Sequence, residues 1–203
     1  MIKVQKFNSE DEWLEGRMGR IMGTRLKDLV VKRGTKPKKG FYEVIAERVA
    51  IPSNGENVMD RGHRLETEAI ERFEKETNKT INTDLVIWSR KDNEDIAISP
   101  DGFIDGKKIT EACEVKCLNS ASHIEAYLTK EIPSEYEYQK LQYFIVNDDL
   151  QVLYFIFYDP RMPKDFFYFT ITRESVKEQI EEYLKLERET LEEIKRIETE
   201  LTF

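Results

Sequence analysis

The sequence predicts a mixed α/β domain of the α+β type, in which helices come first, strands follow and one helix closes the chain. Apolar residues recur at helical spacing in the N-terminal part, whereas short β-branched and aromatic runs separated by turn formers occupy the middle. The 203 residues, of which 39% are hydrophobic and 11% aromatic, suffice for one hydrophobic core. We therefore expect a single domain with a mostly helical part over residues 1–80, a sheet core over 81–172 and a C-terminal helix over 173–203.

Three helices are predicted before the first strand. The first covers residues 9–31, with Ser9 as its N-cap and with three glycines that lower its helical propensity. A basic loop separates it from a short helix over residues 42–49. The third helix covers residues 59–77, and Asn78 is the residue expected to end it.

Short strands occupy the middle of the chain. Four of them are predicted over residues 85–89, 96–99, 102–104 and 112–118. The Asp105-Gly106 pair predicts the tip of a hairpin between the last two. After a helix over residues 134–146, an apolar run over residues 151–158 is typical of a strand buried on both faces, and an aromatic strand follows over residues 166–172.

The last helix, over residues 173–200, carries an apolar stripe that could pack on its own core or on a neighbouring subunit.

Charge is unevenly distributed along the chain. From Glu174 to Glu200 there are ten acids and five bases, whereas from Arg17 to Lys39 there are nine bases and one acid. A uniformly acidic surface would repel nucleic acid, but the net charge of −8 hides a cationic N-terminal segment.

The sequence lacks the apolar segments expected of membrane-spanning and of secreted proteins. No run approaches the roughly 18 apolar residues that a membrane span needs, and the N-terminus has no apolar signal core, so we expect a cytoplasmic protein.

Cys113 and Cys117 would lie about 13 Å apart on a strand, which is too far for a disulfide, and two cysteines are too few for a zinc site. We expect both to be buried, inert thiols.

The most informative residues are two carboxylates and a lysine around the predicted hairpin. Because side chains alternate along a strand, Glu114 and Lys116 share one face of an apolar strand, and Asp101 can approach Glu114 across the sheet. A Glu-x-Lys pair is usually a surface ion pair of little energetic value, and Asp-Gly is usually only a turn. Inside an apolar strand, however, unpaired charges are costly.

The combination therefore predicts a metal site. Two converging carboxylates repel each other unless a cation lies between them, and hard oxygen ligands suit Mg²⁺ or Mn²⁺. The main-chain carbonyl of Val115 could supply another ligand, and Lys116 would orient a water molecule and stabilise developing negative charge. The reaction implied is hydrolysis of a phosphodiester.

Six short motifs follow one another between about residues 10 and 170. They are Arg17 to Thr24, Arg61 to Ala69, Ser99 to Gly102, Glu114 to Cys117, Tyr138 to Tyr143 and Tyr158 to Met162. Pro100-Asp101 with Glu114-Val115-Lys116 resembles the signature of the PD-(D/E)XK nuclease superfamily. The six motifs in this order resemble the lambda exonuclease and YqaJ-type viral recombinase family, which implies a restriction-endonuclease-like core with a central mixed β-sheet flanked by helices.

The resemblance assigns roles to particular residues. It implies that Asp101 and Glu114 bind metal, that Lys116 is the catalytic lysine and that Glu66 lies near a second ion or its water. It also implies that Gln139 fixes the lysine and the substrate, although Gln142 lies on nearly the same helix face and could be confused with it.

The same resemblance implies a DNA-binding segment near the N-terminus. Arg17 and Thr24 match a pocket for the 5′ phosphate of the degraded strand, which Arg20 and Arg25 could assist. Guanidinium groups bind phosphate in bidentate fashion, which fits this role. The basic loop over residues 32–39 would contact the DNA backbone without reading sequence.

The resemblance implies an alkaline exonuclease that digests the 5′-ended strand of linear double-stranded DNA and leaves a 3′ single-stranded tail. It implies two Mg²⁺ ions per active site, with Mn²⁺ as a substitute, a homotrimer ring and a single-strand annealing protein as partner. The setting would be phage-type homologous recombination in a bacterial host. Two alternatives stay open, namely an endonuclease or repair nuclease of the same superfamily and a non-catalytic DNA-end-binding protein.

Overall fold

The computed structural model describes residues 2–24, 26, 60–118, 120–160 and 162–202 of the chain. Within these residues the predicted mixture of helices and strands is confirmed, as seven strands and five helices. The strands are β1 (Ile2–Lys6), β2 (Val86–Arg90), β3 (Ala97–Ile98), β4 (Gly102–Phe103), β5 (Glu111–Lys116), β6 (Val152–Tyr158) and β7 (Phe166–Thr172). The helices are α1 (Glu10–Arg17), α2 (Asp60–Thr77), α3 (Ser120–Thr129), α4 (Glu137–Val146) and α5 (Lys177–Thr202).

The larger sheet has four strands in the order β4-β5-β6-β7 and is mixed. Strands β5 and β6 are parallel, whereas β4 and β7 are antiparallel to their neighbours. The apolar strand β6 is buried on both faces, as its sequence predicts: Phe155 and Phe157 face the cluster that includes α4, and Ile156 and Tyr158 face the cluster that includes α2. The sheet therefore lies between helices, with β5 near its centre.

A second, three-stranded sheet has the order β1-β2-β3. Strand β1 was not predicted, because most of Ile2–Lys6 is exposed and its alternation is weak. Strand β3 is only two residues long, and the chain passes directly from its end through Ser99 and Pro100 to Asp101. This short connection fixes Asp101 at the junction between the two sheets.

The predicted continuous helix over residues 9–31 is wrong. Ser9 caps α1 as predicted, but the helix ends at Arg17, and Gly19 adopts a positive φ of 70°. Ile21 is then fully buried and pairs with Ile96 beside β3, through bonds from the amide of Ile21 to Asp95 O and from the amide of Ala97 to Ile21 O. A long-range contact thus overrides local helical propensity in this segment.

Among the described residues, the remaining helices lie where the sequence predicts them, except for α3, which was not predicted. Helix α2 ends before Asn78, which takes a φ of 55° as expected of a helix stop. Helix α3 was missed because its largest apolar side chains face outward: Ile124 is 41% exposed and Leu128 is 70% exposed. The predicted helix over residues 42–49 and the basic loop before it lie outside the described residues.

The C-terminal helix packs on the chain's own core, which decides between the two possibilities left open by its stripe. A single 3-10 turn, Arg173–Val176, precedes α5. Val176, Ile180, Leu191 and Ile194 are buried in the same cluster as α4. In the part of the chain that the structure describes, no helix has the length and hydropathy needed to cross a membrane.

Candidate active site

The centre of the site is strand β5, whose two faces differ in chemistry. Cys113 and Val115 pack into the cluster that contains α2, whereas Glu114 points toward α4 and is only 1% exposed. Lys116 lies on the same face as Glu114, and its ammonium group is 2.5 Å from Glu114 Oε1. The alternation predicted from the sequence is therefore present.

Both oxygens of the Glu114 carboxylate accept hydrogen bonds, from three donors in all. Lys116 and the Gln139 side-chain amide both donate to Oε1, and the Tyr143 hydroxyl donates to Oε2 over 2.5 Å. Burial and the charge of Glu114 hold the pKa of Tyr143 well above its usual range, so this hydroxyl keeps its proton. Such charge-assisted bonds compensate the cost of burying the carboxylate.

Asp101 approaches the same strand from the β3–β4 connection. Its Oδ2 accepts a 2.7 Å hydrogen bond from the main-chain amide of Val115. Burial of the Asp101 carboxyl, followed by repulsion from Glu114 and Glu66, raises its pKa well above the ordinary value, against the opposing effect of Lys116. Two carboxylates that repel each other in this way form a site for a positive charge.

Lys116 is the cation that this site provides. Burial alone would lower its pKa, but Glu114 and Asp101 outweigh that effect and raise it. The ring of Tyr136, just before α4, lies 4.9 Å from the Lys116 ammonium group. Lys116 is therefore charged and held between a carboxylate and an aromatic face.

Glu66 lies on α2 beside this group rather than within it. It lines a pocket of about 320 Å³ together with Asp101, Pro100 and Trp13. Among the described residues, no three His, Cys, Asp or Glu side chains are placed to hold one metal ion together. The structure thus brings together Asp101, Glu114, Lys116 and Gln139, and it places Glu66 at the adjoining pocket.

The N-terminal segment borders the same pocket. The Arg17 guanidinium stacks over the Trp13 ring at 4.3 Å, and the Trp13 indole donates to Val86 O. Thr24 is exposed, and the charge of Arg20 acts on Glu94, at the turn between β2 and β3. Arg25 lies outside the described residues.

The two glutamines of α4 have different contacts. Gln139 reaches Glu114, whereas the Gln142 amide donates to Ile21 O and Ala97 O over 3.2 and 3.4 Å. Of the two glutamines, Gln139 is therefore the one that contacts the candidate site. Tyr143 was missed by sequence reasoning, although its position four residues after Gln139 puts both on one helix face.

The cysteines stand apart from this chemistry. Both are free thiols; Cys113 is buried and Cys117 is half-buried. Burial raises the pKa of Cys113 well above its ordinary value and that of Cys117 to about 12. Since the thiolate is the reactive form, raised pKa values disfavour reaction at both thiols near neutral pH. The prediction that both are buried is confirmed for Cys113 and wrong for Cys117, which is only half-buried.

Known structures share this architecture. The crystal structure of the alkaline exonuclease LHK-Exo from Laribacter hongkongensis is 26% identical, with a TM-score of 0.76, covering 94% of this chain and 97% of that one. Its complex with dAMP is 25% identical over the same shares, also with a TM-score of 0.76. A phage-related exonuclease from Haemophilus somnus 129PT is 14% identical, covers 90% and 96% of the two chains with a TM-score of 0.62, and shares the fold.

These neighbours confirm the predicted PD-(D/E)XK-like fold. Among curated proteins, none is significantly similar to this chain in sequence. Residues 12–149 match the model of the YqaJ-like viral recombinase domain. Because that match spans more than half of the chain, the protein belongs to the YqaJ-like viral recombinase family.

Proposed function

We propose that the protein is a metal-dependent 5′→3′ exonuclease that digests the 5′-ended strand of linear double-stranded DNA to mononucleotides and leaves a 3′ tail for phage-type recombination. The family match and the two alkaline exonuclease structures support a DNA nuclease of the lambda exonuclease type. The observation that carries the finer proposal is the convergence of Asp101, Glu114, Lys116 and Gln139 on strand β5.

The donor set fits a hard divalent cation. Asp101 carries a carboxyl whose pKa is raised by burial and by Glu114, so a cation bound there would relieve the repulsion between the two groups. Asp101, Glu114 and the carbonyl of Val115 would hold Mg²⁺, with Mn²⁺ as a substitute, and Glu66 would serve a second ion. A divalent ion bound to oxygen ligands polarises a phosphate and lowers the pKa of bound water.

The remaining steps, namely orienting the water and stabilising negative charge, would fall to residues of the chain itself. Lys116, which is charged and fixed by Glu114, would orient the attacking water and stabilise negative charge on the phosphate. Gln139 donates to the same oxygen of Glu114 as Lys116, and Tyr143 donates to the other oxygen, so that the carboxylate is fixed against rotation. Preorganised donors of this kind need no rearrangement during the reaction.

DNA would enter beside the N-terminal segment. Arg17 stacks on Trp13, and Trp13 lines the pocket that contains Asp101 and Glu66, so a phosphate bound by Arg17 would lie close to the carboxylates. Thr24, Arg20 and Arg25 would add contacts to the 5′ phosphate and the backbone. Binding a terminal 5′ phosphate would direct digestion to the 5′-ended strand.

The wider setting is also part of the proposal. Membership of the viral recombinase family supports a phage or prophage protein. Such a protein would act in the cytoplasm of a bacterial host. We propose a homotrimer ring, which would enclose the DNA and favour processive digestion. A single-strand annealing protein would then take over the exposed 3′ tail.

Digestion of end-labelled DNA tests this proposal. Linear duplexes carrying a label at either end, with and without a 5′ phosphate, are incubated with the protein and Mg²⁺ beside a closed circle. We expect mononucleotides from the 5′ end, faster release from phosphorylated ends and an intact circle. Release from the 3′ end or rapid cutting of the circle would refute the proposal, the latter in favour of an endonuclease.

A further inference from the structure

One buried carboxyl group lies outside the candidate active site. Helix α5 has a buried apolar stripe that includes Ile180, Leu191 and Ile194, and Glu187 occupies a position on this stripe. Glu187 is 0% exposed, and neither of its side-chain oxygens has a hydrogen-bond partner among the described residues. An ionised carboxylate in such a place would carry a large, uncompensated desolvation cost.

The neighbour of Glu187 on α4 is Gln142. The Gln142 amide nitrogen donates to Ile21 O and Ala97 O, and these two carbonyls fix the orientation of the amide because its oxygen would be repelled by them. The oxygen Oε1 of Gln142 is consequently turned away, and within the described part of the chain it has no donor. Gln142 thus holds the N-terminal segment to β3 but lacks one hydrogen bond itself.

The two unsatisfied groups can satisfy each other only if one of them carries a proton. A carboxylate and an amide oxygen are both acceptors, whereas a carboxylic acid has one O–H donor. Burial raises the pKa of Glu187 well above its ordinary value and outweighs the opposing effect of the Gln142 amide, whose nitrogen is already bound to two carbonyls. Arg90 is the charged group that opposes this shift, but its guanidinium is already bound by Asp92 and Asp148.

The segment held by Gln142 carries the proposed DNA-end contacts. Ile21 lies between Arg17 and Thr24, and Gly23 packs so closely on α4 that a Cβ there would lie 3.2 Å from Gln139 Cγ and 3.4 Å from Gln142 Cβ. A shift of this segment would therefore move the candidate 5′-phosphate residues relative to the site on β5.

We propose that Glu187 is a neutral carboxylic acid that donates to Gln142 Oε1, and that this pair is a positioning device which holds the Arg17 to Thr24 segment against α4 and β3. The positioning role rests on the proposed function, because it matters for activity only if that segment binds a DNA end. The protonation state of Glu187 does not depend on that function and can be tested without DNA.

Unfolding of the metal-free protein tests the protonation state. Wild type, Glu187→Gln and the control Glu189→Gln, whose side chain is exposed on the same helix, are unfolded in urea at several pH values. Above the ordinary pKa of 4.5 the unfolded chain ionises Glu187 while the folded protein does not. The unfolding constant of the wild type relative to Glu187→Gln should therefore rise about tenfold per pH unit up to the folded-state pKa. The control should show a constant ratio, and a constant ratio for Glu187→Gln would overturn the proposal.

Digestion kinetics on a 5′-phosphorylated duplex test the positioning role. Glu187→Ala and Gln142→Ala each remove the bond, and each should raise KM roughly tenfold with a smaller change in kcat. Glu187→Gln should restore KM, since a glutamine amide can donate to Gln142 Oε1. If Glu187→Gln raises KM as much as Glu187→Ala, the neutral donor is refuted. If the folded wild type does not digest DNA, the proposed function fails, and the urea experiment alone decides the state of Glu187.

Discussion

Replacing Tyr143 with Phe removes a single hydroxyl from the candidate active site. The Tyr143 ring is fully buried, and its hydroxyl donates to Glu114 Oε2 over 2.5 Å. The substitution keeps the ring and leaves that carboxylate oxygen without its donor. Lys116 and Gln139 continue to bind the other oxygen.

The loss of stability expected for Tyr143→Phe follows from the burial and the charge of Glu114. A hydrogen bond to a charged group contributes about 1.5–3 kcal/mol, and Glu114 is too buried for water to replace the lost donor. We expect Tyr143→Phe to lower the free energy of unfolding by about 2 kcal/mol. For a chain of 203 residues this corresponds to a decrease in Tm of about 4–8 °C.

A matched control exists at Glu111, another carboxylate of strand β5 that accepts a bond from a tyrosine. Tyr154 donates to Glu111 Oε2 over 2.6 Å, but the Glu111 side chain is 28% exposed and also binds Lys79. Since water can replace this bond, Tyr154→Phe should cost only about 0.5 kcal/mol.

Thermal unfolding of both variants and their rates of DNA digestion give the comparison. Tyr143→Phe should also slow digestion, because Glu114 loses a fixed orientation, whereas Tyr154→Phe should not. Equal decreases in Tm, or an unchanged rate for Tyr143→Phe, would refute the idea that this hydroxyl organises the site.

Three further perturbations test other parts of the site. Lys116→Ala should lower cleavage about 100-fold or more while DNA binding in a gel-shift assay persists, and full activity would remove Lys116 from the mechanism. Gly23→Ala places a Cβ 2.9 Å from Ile98 Cδ1 and should lower stability by about 1–3 kcal/mol in thermal unfolding; an unchanged Tm would mean that this segment is loosely held. In metal-free protein the pKa of Asp101 is raised, so stability is lost as pH rises from the ordinary value of 3.8 through the folded-state value. In urea titrations, the free energy of unfolding of Asp101→Asn should therefore increase relative to that of the wild type as pH rises. A difference between the two free energies that does not change with pH would contradict this.

The local sequence pattern was sufficient to predict side-chain positions that depend on a single strand, turn or helix end. Alternation along an apolar strand placed Glu114 and Lys116 on one face, and the turn formers before it placed Asp101 at the edge of the sheet. The positive φ of Asn78 likewise follows from its position at a helix end. These features depend on neighbours in sequence.

Long-range contacts explain what the sequence did not reveal. Ile21 leaves the predicted helix because it pairs with Ile96, 75 residues away by their numbering. Glu187 looked like one acid among many in a charged helix, and its burial depends on packing against α4. Tyr143 could have been found from its helical spacing to Gln139, but its bond to Glu114 depends on how α4 lies on the sheet.

The dependence of digestion on a divalent cation and on Asp101 tests the central claim most directly. Mononucleotide release from a linear, 5′-phosphorylated duplex is measured while Mg²⁺ is added to metal-free protein, for wild type, Asp101→Asn and the control Asp105→Asn. Asp105 is exposed at the hairpin and accepts a bond from Asn82, so its replacement makes the same chemical change outside the site. We predict that wild type and Asp105→Asn digest DNA only with Mg²⁺ and that Asp101→Asn is at least about 100-fold slower. Digestion in the presence of a chelator, or an undiminished rate for Asp101→Asn, would contradict a metal-dependent nuclease centred on β5.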